Sequence, residues 1–532
     1  MGPGTPGFGA VIVRWANTRS ASLFINVSGC THAADARAKR ALNADRAKVW
    51  VLGTPDDTDL AGTSPRFRDA GFGRMLCGMD RRHFVSAMAG AAVLPGLAAA
   101  PTPAFAAGAI RRLLDANDVA KGHGVHLFDP DATPWRGNPA LDAVFAADED
   151  FWEPVQRAFD LDRSWINLNN GGCSPAPTHV LDQMIRDLKF SNELPVIQMW
   201  QTLEPRIEVV RRELAIEFGC DIEEMAITRN ASEALETLIF GIDLKAGDEV
   251  IVSNQNYGRM LNAWDQRVRR EGIVVKAISF PVPPPSPQVI VDRFAAAITP
   301  RTRVIEITHI TNLTGQILPV KEIVAMARAK NIEVFIDGAH AFAQFPFTRD
   351  ELGADYYGTS LHKWLLAPIG TGFLYVRKEK QRSIWPLMAG NKGQDNDVRK
   401  YEEIGTHPAA NHNAISVALT FHRALGAGRK FARLKYLRDR WAKRLLAEGQ
   451  GRVKILTPLD SPWGGGIGFL HIDGMEPGSL GSWLVGKHRV VQTPITHAEF
   501  SGIRVTPNVY TTLDEIDRFS DLVLKAMRDG IT

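Results

Sequence analysis

Cysteine is scarce in this chain. Four occur in 532 residues (Cys30, Cys77, Cys173, Cys220), none in a CxxC spacing, which excludes a zinc knuckle and a disulfide framework, and no metal site is expected. Outside one segment described below there is no run of 18 or more apolar residues, so no membrane-spanning helix is expected. The phosphate loop GxxxxGKS/T is missing, and no GxGxxG lies within residues 107–532. Nucleotide and dinucleotide sites therefore lack their usual glycine cradles. The absence of GxSxG and HExxH removes the common serine and zinc hydrolases. Glutamate is wholly missing from residues 1–106, which hold 12 basic residues against 7 aspartates. The rest of the chain has 50 basic and 52 acidic residues, a balance that points to no nucleic-acid partner.

What is present begins with an export signal in an unusual place. In "MDRRHFVSAMAGAAVLPGLAAAPTPAFAAG", Arg81 and Arg82 form a charged head, residues 87–100 a mildly apolar run, and Ala104-Phe105-Ala106 a cleavage site. That is the layout of a secretory signal, and the arginine pair before His83-Phe84-Val85 is similar to the twin-arginine class. Residues 1–78, rich in Gly, Pro, Asp and Arg, read as an unstructured extension or a mis-assigned start, with translation beginning at Met79. Residues 79–106 would then be the signal peptide. The expected mature form starts near Ala107 and is periplasmic or secreted after passage through the twin-arginine export machinery.

Residues 107–165 form an irregular N-terminal segment with a short helical run before Asp160. From there strands alternate with helices. Apolar runs place strands at 249–253, 273–278, 303–308, 333–337, 355–359 and 372–377, and helices at 232–242, 260–271, 289–298 and 320–330. This rhythm predicts an α/β fold with a mostly parallel sheet covered on both faces by helices. It fills a large domain over 166–400, followed by a smaller α+β domain over 401–532.

Ligands of such sheets bind beyond the carboxyl ends of the strands. Polar clusters fall at those ends: 228–232, 254–257, 308–312, 337–340 and 359–363. Lys363 is followed by Trp364, Leu365, Leu366 and Ala367, so it is either a lysine snorkelling out of an apolar segment or a desolvated amine turned nucleophile. Asn230 and Ser232 read as a helix cap or as a phosphate site at a helix N-terminus. Asp337 reads as a cap, a metal carboxylate or a catalytic group.

The stretches "INLNNGGCSPAP", "ITRNASEALET", "IDGAHA", "GTSLHKWLLAPIGTG" and "GIRVTPNVYTTLDEID" resemble the pyridoxal-phosphate enzymes of fold type I. The likeness is to the class V aminotransferase family, in its isopenicillin-N epimerase-like branch, over roughly residues 150–525. The resemblance implies a seven-stranded large-domain sheet and pyridoxal 5'-phosphate as cofactor. It implies that Lys363 carries the cofactor as a Schiff base, with Asp337 on the pyridine nitrogen and His340 near the phenolic oxygen. Ser360 and His362, with Asn230, Ala231 and Ser232, would hold the phosphate, and Tyr257 would stack on the ring. Asn312 and Arg504 would meet an amino-acid-type substrate, Arg504 through its α-carboxylate. Gly405-Thr406 would reach the cofactor phosphate of a second subunit, which implies a homodimer. The reaction implied passes through an external aldimine and Cα deprotonation. A C–S lyase acting by β-elimination is the alternative. A non-catalytic exported binding protein is a weaker one, because a scaffold needs none of Lys363, Asp337 and Arg504. Desulfurases of this class carry a cysteine on the loop ahead of the carboxylate-binding arginine. Here no cysteine follows Cys220, so persulfide chemistry is not expected.

Overall fold

The structure is a computed structural model that describes residues 139–531 and, within the first 78 residues, three short strands. Those strands, Ala10–Arg14, Leu23–Asn26 and Lys48–Val51, pair antiparallel with Ala10–Arg14 in the centre. The signal-like segment at 79–106 and residues 107–138 lie outside the described residues.

The main body is built on a seven-stranded sheet. Its strands are β1 (Met225–Thr228), β2 (Glu249–Ser253), β3 (Val274–Ile278), β4 (Thr302–Thr308), β5 (Glu333–Asp337), β6 (Tyr356–Ser360) and β7 (Gly372–Val376). They are ordered β1-β7-β6-β5-β4-β2-β3, and only β7 runs antiparallel to its neighbours. Six strands lie where the apolar runs place them, within a residue or two; β1, a run of only four residues, is the addition.

The alternation of side chains along a strand explains why both faces are closed. Ile251, Ile305, Ile307, Ile336, Tyr357 and Phe373 enter one core. Val250, Val252, Val304, Phe335, Tyr356 and Leu374 enter the other. Each fully buried side chain of this size stabilises the fold by about 1.5–3 kcal/mol, so the sheet is a rigid platform. Helices Ala231–Gly241 and Gly258–Glu271 cover the second face.

A smaller antiparallel sheet follows: β8 (Val453–Ile455), β9 (Gly468–Ile472), β10 (Thr493–Thr496) and β11 (Ser501–Val505), in the order β8-β9-β11-β10. Its core takes Leu437, Trp441, Leu470, Ile503 and Phe519, and also Ile166 and Leu168 from far upstream. Strand Ile166–Asn167 pairs with Val490–Val491. The residues just after it are thereby carried onto the end of β11. That crossing assembles the site.

Candidate active site

Five strands end at one edge of the large sheet, at Thr228, Ser253, Thr308, Asp337 and Ser360. Lys363 lies on the turn after β6. Its Nζ is 3.2 Å from His340 Nε2, and Trp364 Nε1–H donates to His340 Nδ1 at 3.4 Å. These two contacts fix where the protons are. A neutral imidazole that accepts at Nδ1 carries its proton on Nε2, so the contact to Lys363 is satisfied when the amine accepts. Burial pushes Lys363 down to about 8, against the pull of Asp337 and with help from Arg504. Burial first, then Lys363 and Arg504, hold His340 well below its usual range. Lys363 thus gives up its proton far more readily than an exposed lysine, and its contact with His340 rather than with solvent speaks against the snorkelling reading.

Asp337 is 3% exposed. Its Oδ1 accepts the Ala339 N–H at 2.9 Å, and among the described residues no donor is bonded to Oδ2. Burial raises its pKa, opposed by the Ala339 N–H and by Lys363. A buried acid with one open oxygen is costly unless a partner arrives.

Asn230 is the cap of helix Ala231–Gly241: its Oδ1 accepts from Glu233 N–H at 2.9 Å. Ala231 N–H donates to Ser360 Oγ at 2.9 Å, which leaves the Ser360 proton for another acceptor. The N–H and hydroxyl of Ser232 have no protein partner among the described residues. An unoccupied N–H and two hydroxyls at a helix N-terminus suit a phosphate. The backbone is tight here: a Cβ on Gly372 would come within 2.7 Å of the Asn230 Cα. His362 faces the Thr371 carbonyl through Nδ1 at 3.1 Å, and burial lowers its pKa.

Arg504, on β11, is 7% exposed, and among the described residues no carboxylate pairs with it. Its Nη1 donates to the Asn312 carbonyl at 3.0 Å, and Nη2 to Asn169 Oδ1 at 2.8 Å and Thr493 Oγ1 at 3.2 Å. Its Nε and the Asn312 Oδ1 are buried without partners among the described residues. Burial lowers Arg504 to about 10, offset slightly by Tyr257. Asn312 therefore supports the arginine by its backbone, while its amide oxygen stays free. Tyr257 is 40% exposed at the start of helix Gly258–Glu271. Thr406 is exposed on a turn beside Gly405, whose φ is +75°, and bonds to none of these residues.

Four contributors escaped the sequence reading. Asn169 and Thr493 orient Arg504, and the Trp364 N–H sets the His340 tautomer. Cys173 is the fourth, on the loop that the Ser174 N–H ties to the His362 carbonyl. It comes from the opposite end of the chain to the place where a cysteine was sought.

The residues fit the implied cofactor: a buried carboxylate with one unbonded oxygen, an amine that gives up its proton readily and the donors of a helix N-terminus line one sheet edge. Pyridoxal phosphate, when bound, supplies an electron sink for the bonds to an amino acid's α-carbon. Arg504 can hold a carboxylate bidentately, Lys363 can take a proton at Nζ, and Asp337 can hold a positive charge at Oδ2.

A family model described as Aminotransferase class-V matches residues 166–519. The isopenicillin N epimerase of Streptomyces clavuligerus is 29% identical over 388 residues, covering 70% of this chain and 97% of that protein. A putative L-cysteine desulfhydrase 2 of Oryza sativa subsp. japonica is 31% identical over 234 residues, covering 41% of this chain and 49% of that protein. Among solved structures, C-DES with glycine covalently linked to its PLP cofactor superposes with a TM-score of 0.61 at 22% identity, covering 69% of this chain and 98% of that one.

Proposed function

The chain belongs to the aminotransferase class-V family of pyridoxal-phosphate enzymes, and from that premise we propose that it removes the α-proton of an amino acid or amino-acid derivative in an epimerase-like reaction. The observation that carries this reading is the pairing of a buried Arg504, which meets no carboxylate among the described residues, with a Lys363 that burial makes easier to deprotonate. A buried guanidinium bonded only to neutral oxygens is stabilised by an incoming carboxylate. An amino acid held there presents its α-carbon toward the lysine. The likeness to isopenicillin N epimerase along nearly that enzyme's whole length supports inversion.

The test has two steps. The purified protein is expected to absorb near the visible edge, with the band abolished by borohydride. It is then incubated with L- and D-amino acids, and products are resolved by chiral chromatography. Formation of the antipode supports the reading. Ammonia, pyruvate and sulfide from cysteine would instead support β-elimination, the second reading, which the partial likeness to a desulfhydrase favours. A protein with neither the band nor turnover would overturn both.

The same proposal makes the enzyme an exported homodimer. Arg81 and Arg82 precede an apolar run and a cleavage site, and the twin-arginine route carries folded, cofactor-loaded proteins. Exposure of Thr406 on its turn suits a contact from one subunit to the other's phosphate site. N-terminal sequencing of periplasmic protein is expected to begin near Ala107. A cytosolic protein that retains residues 1–78 would overturn the export reading.

A further inference from the structure

The loop 169–174 runs between the arginine and the lysine and is tied to both. Asn169 accepts from Arg504 at one end. At the other, Ser174 N–H donates to the carbonyl of His362, the residue before Lys363, at 2.9 Å. Gly171 lies against the guanidinium: a Cβ there would be 3.4 Å from its central carbon and 3.5 Å from Nε. That Nε–H is buried and unpartnered, so the loop closes over a donor that still lacks its acceptor. Between these ties sits Cys173, an exposed free thiol.

We propose that Cys173 is a second proton-transfer group of this active site, delivering a proton to the α-carbon of an amino acid whose own α-proton Lys363 has taken. The inference rests on the Cα-deprotonation reading above. Its balance is simple. The Lys363 amine accepts the α-proton and becomes an ammonium, and the electron pair left at carbon takes the thiol proton. The sulfur is left as a thiolate. Exchange with water returns both groups to their starting states, and no oxidant or reductant is consumed. Cysteine is among the side chains that serve as general acids and bases near neutral pH. Two groups on opposite faces of the α-carbon invert it without either having to change sides, so a second donor suits inversion. The loop that carries the thiol is tied at one end to the carboxylate anchor and at the other to the residue before the lysine.

The test uses the holoenzyme and its Cys173→Ala and Cys173→Ser variants in D2O, with each standard L-amino acid in turn. L and D isomers are separated and their α-deuterium measured. The native enzyme is expected to form the D isomer of at least one amino acid. In both variants that product should appear about 10²–10⁴-fold more slowly, the range a positioned acid–base group supplies, while deuterium still enters the L isomer. A variant that inverts at the native rate overturns the assignment. So does a native enzyme that deuterates the L isomer without inverting it. No deuterium uptake at all would instead overturn the reading on which the proposal rests.

A second readout is independent of turnover. At ten times its Kd, the inverted amino acid should slow iodoacetamide alkylation of Cys173 about tenfold, following the free fraction of sites. An unprotected Cys173 overturns the proposal. Because Cys173 is exposed, both variants are expected to fold.

Discussion

The two ends of the large sheet treat buried charge in opposite ways. At the start of β2, Glu249 is fully buried. Its carboxylate receives Lys276 at 2.6 Å, Thr299 at 2.5 Å and Arg301 at 2.6 Å. Those donors, Lys276 first, hold its pKa at about 2. At the end of β5, Asp337 has one N–H and an open oxygen, and burial pushes it up. The arginines show the same contrast. Arg211 is 1% exposed and bonds Glu208 and Glu402, whereas Arg504 is nearly as buried and meets only neutral oxygens. Burial alone does not mark a functional group. The missing partner does, because an unpaired buried charge persists where something else arrives to pair with it.

The largest way to break this contrast is to remove the amine. Lys363→Ala should lower turnover by about 10⁴-fold, the upper end for a positioned acid–base group, and abolish the borohydride-reducible band. A variant that keeps the adduct would move the attachment to another lysine.

Next comes Asp337→Asn, which keeps the shape and removes the charge. It should retain some cofactor yet lose about 10²–10³-fold in kcat, the worth of a fixed electrostatic partner. Undiminished kcat would mean that Oδ2 meets nothing ionic.

Arg504→Lys tests the carboxylate anchor. A point ammonium cannot reproduce the planar fork, so KM for an amino acid should rise about 10- to 100-fold, the worth of one charge-assisted hydrogen bond. Equal KM values would place the carboxylate elsewhere.

The smallest effect belongs to the paired end. Glu249→Gln should leave turnover intact and lower stability by about 1–2 kcal/mol at neutral pH, because Lys276 and Arg301 keep their access to water. Glu249 is depressed to about 2 from an ordinary 4.5, so its contribution is present above pH 4.5 and lost as pH falls toward 2. Urea unfolding through that window should show a shallower acid loss in the variant. Lys363 in the cofactor-free protein has the opposite sense. Its pKa is lowered to about 8 from 10.5, so the burial penalty is present below pH 8 and relieved as pH rises to 10.5. Lys363→Met should flatten stability across that range, and an unchanged slope would contradict the lowered pKa.

Much of this was legible along the chain because it is written locally. An apolar strand closed by a polar residue spans five to seven positions, so β2 to β7 and the polar ends that hold Asp337, Ser360 and Lys363 could be found from neighbouring residues alone. The cap at Asn230 reads the same way, since its Oδ1 reaches an N–H only three positions on. Strand β1 was harder: four residues are too short a run to separate from a loop by pattern.

The sequence by itself determined the sheet, its functional edge and the residue types that suit a carbonyl cofactor. Only the tertiary structure decided their chemistry. Arg504 is oriented by groups 192 and 335 positions away. The His340 tautomer depends on an indole from a different loop, and the loop that carries Cys173 is bonded beside Lys363, through Ser174 and His362, while Ile166 and Leu168 pack into the small-domain core. Protonation follows the same rule. The shifts of Lys363 and Asp337 arise from desolvation, and the neighbours that exclude water come from distant segments brought together by folding.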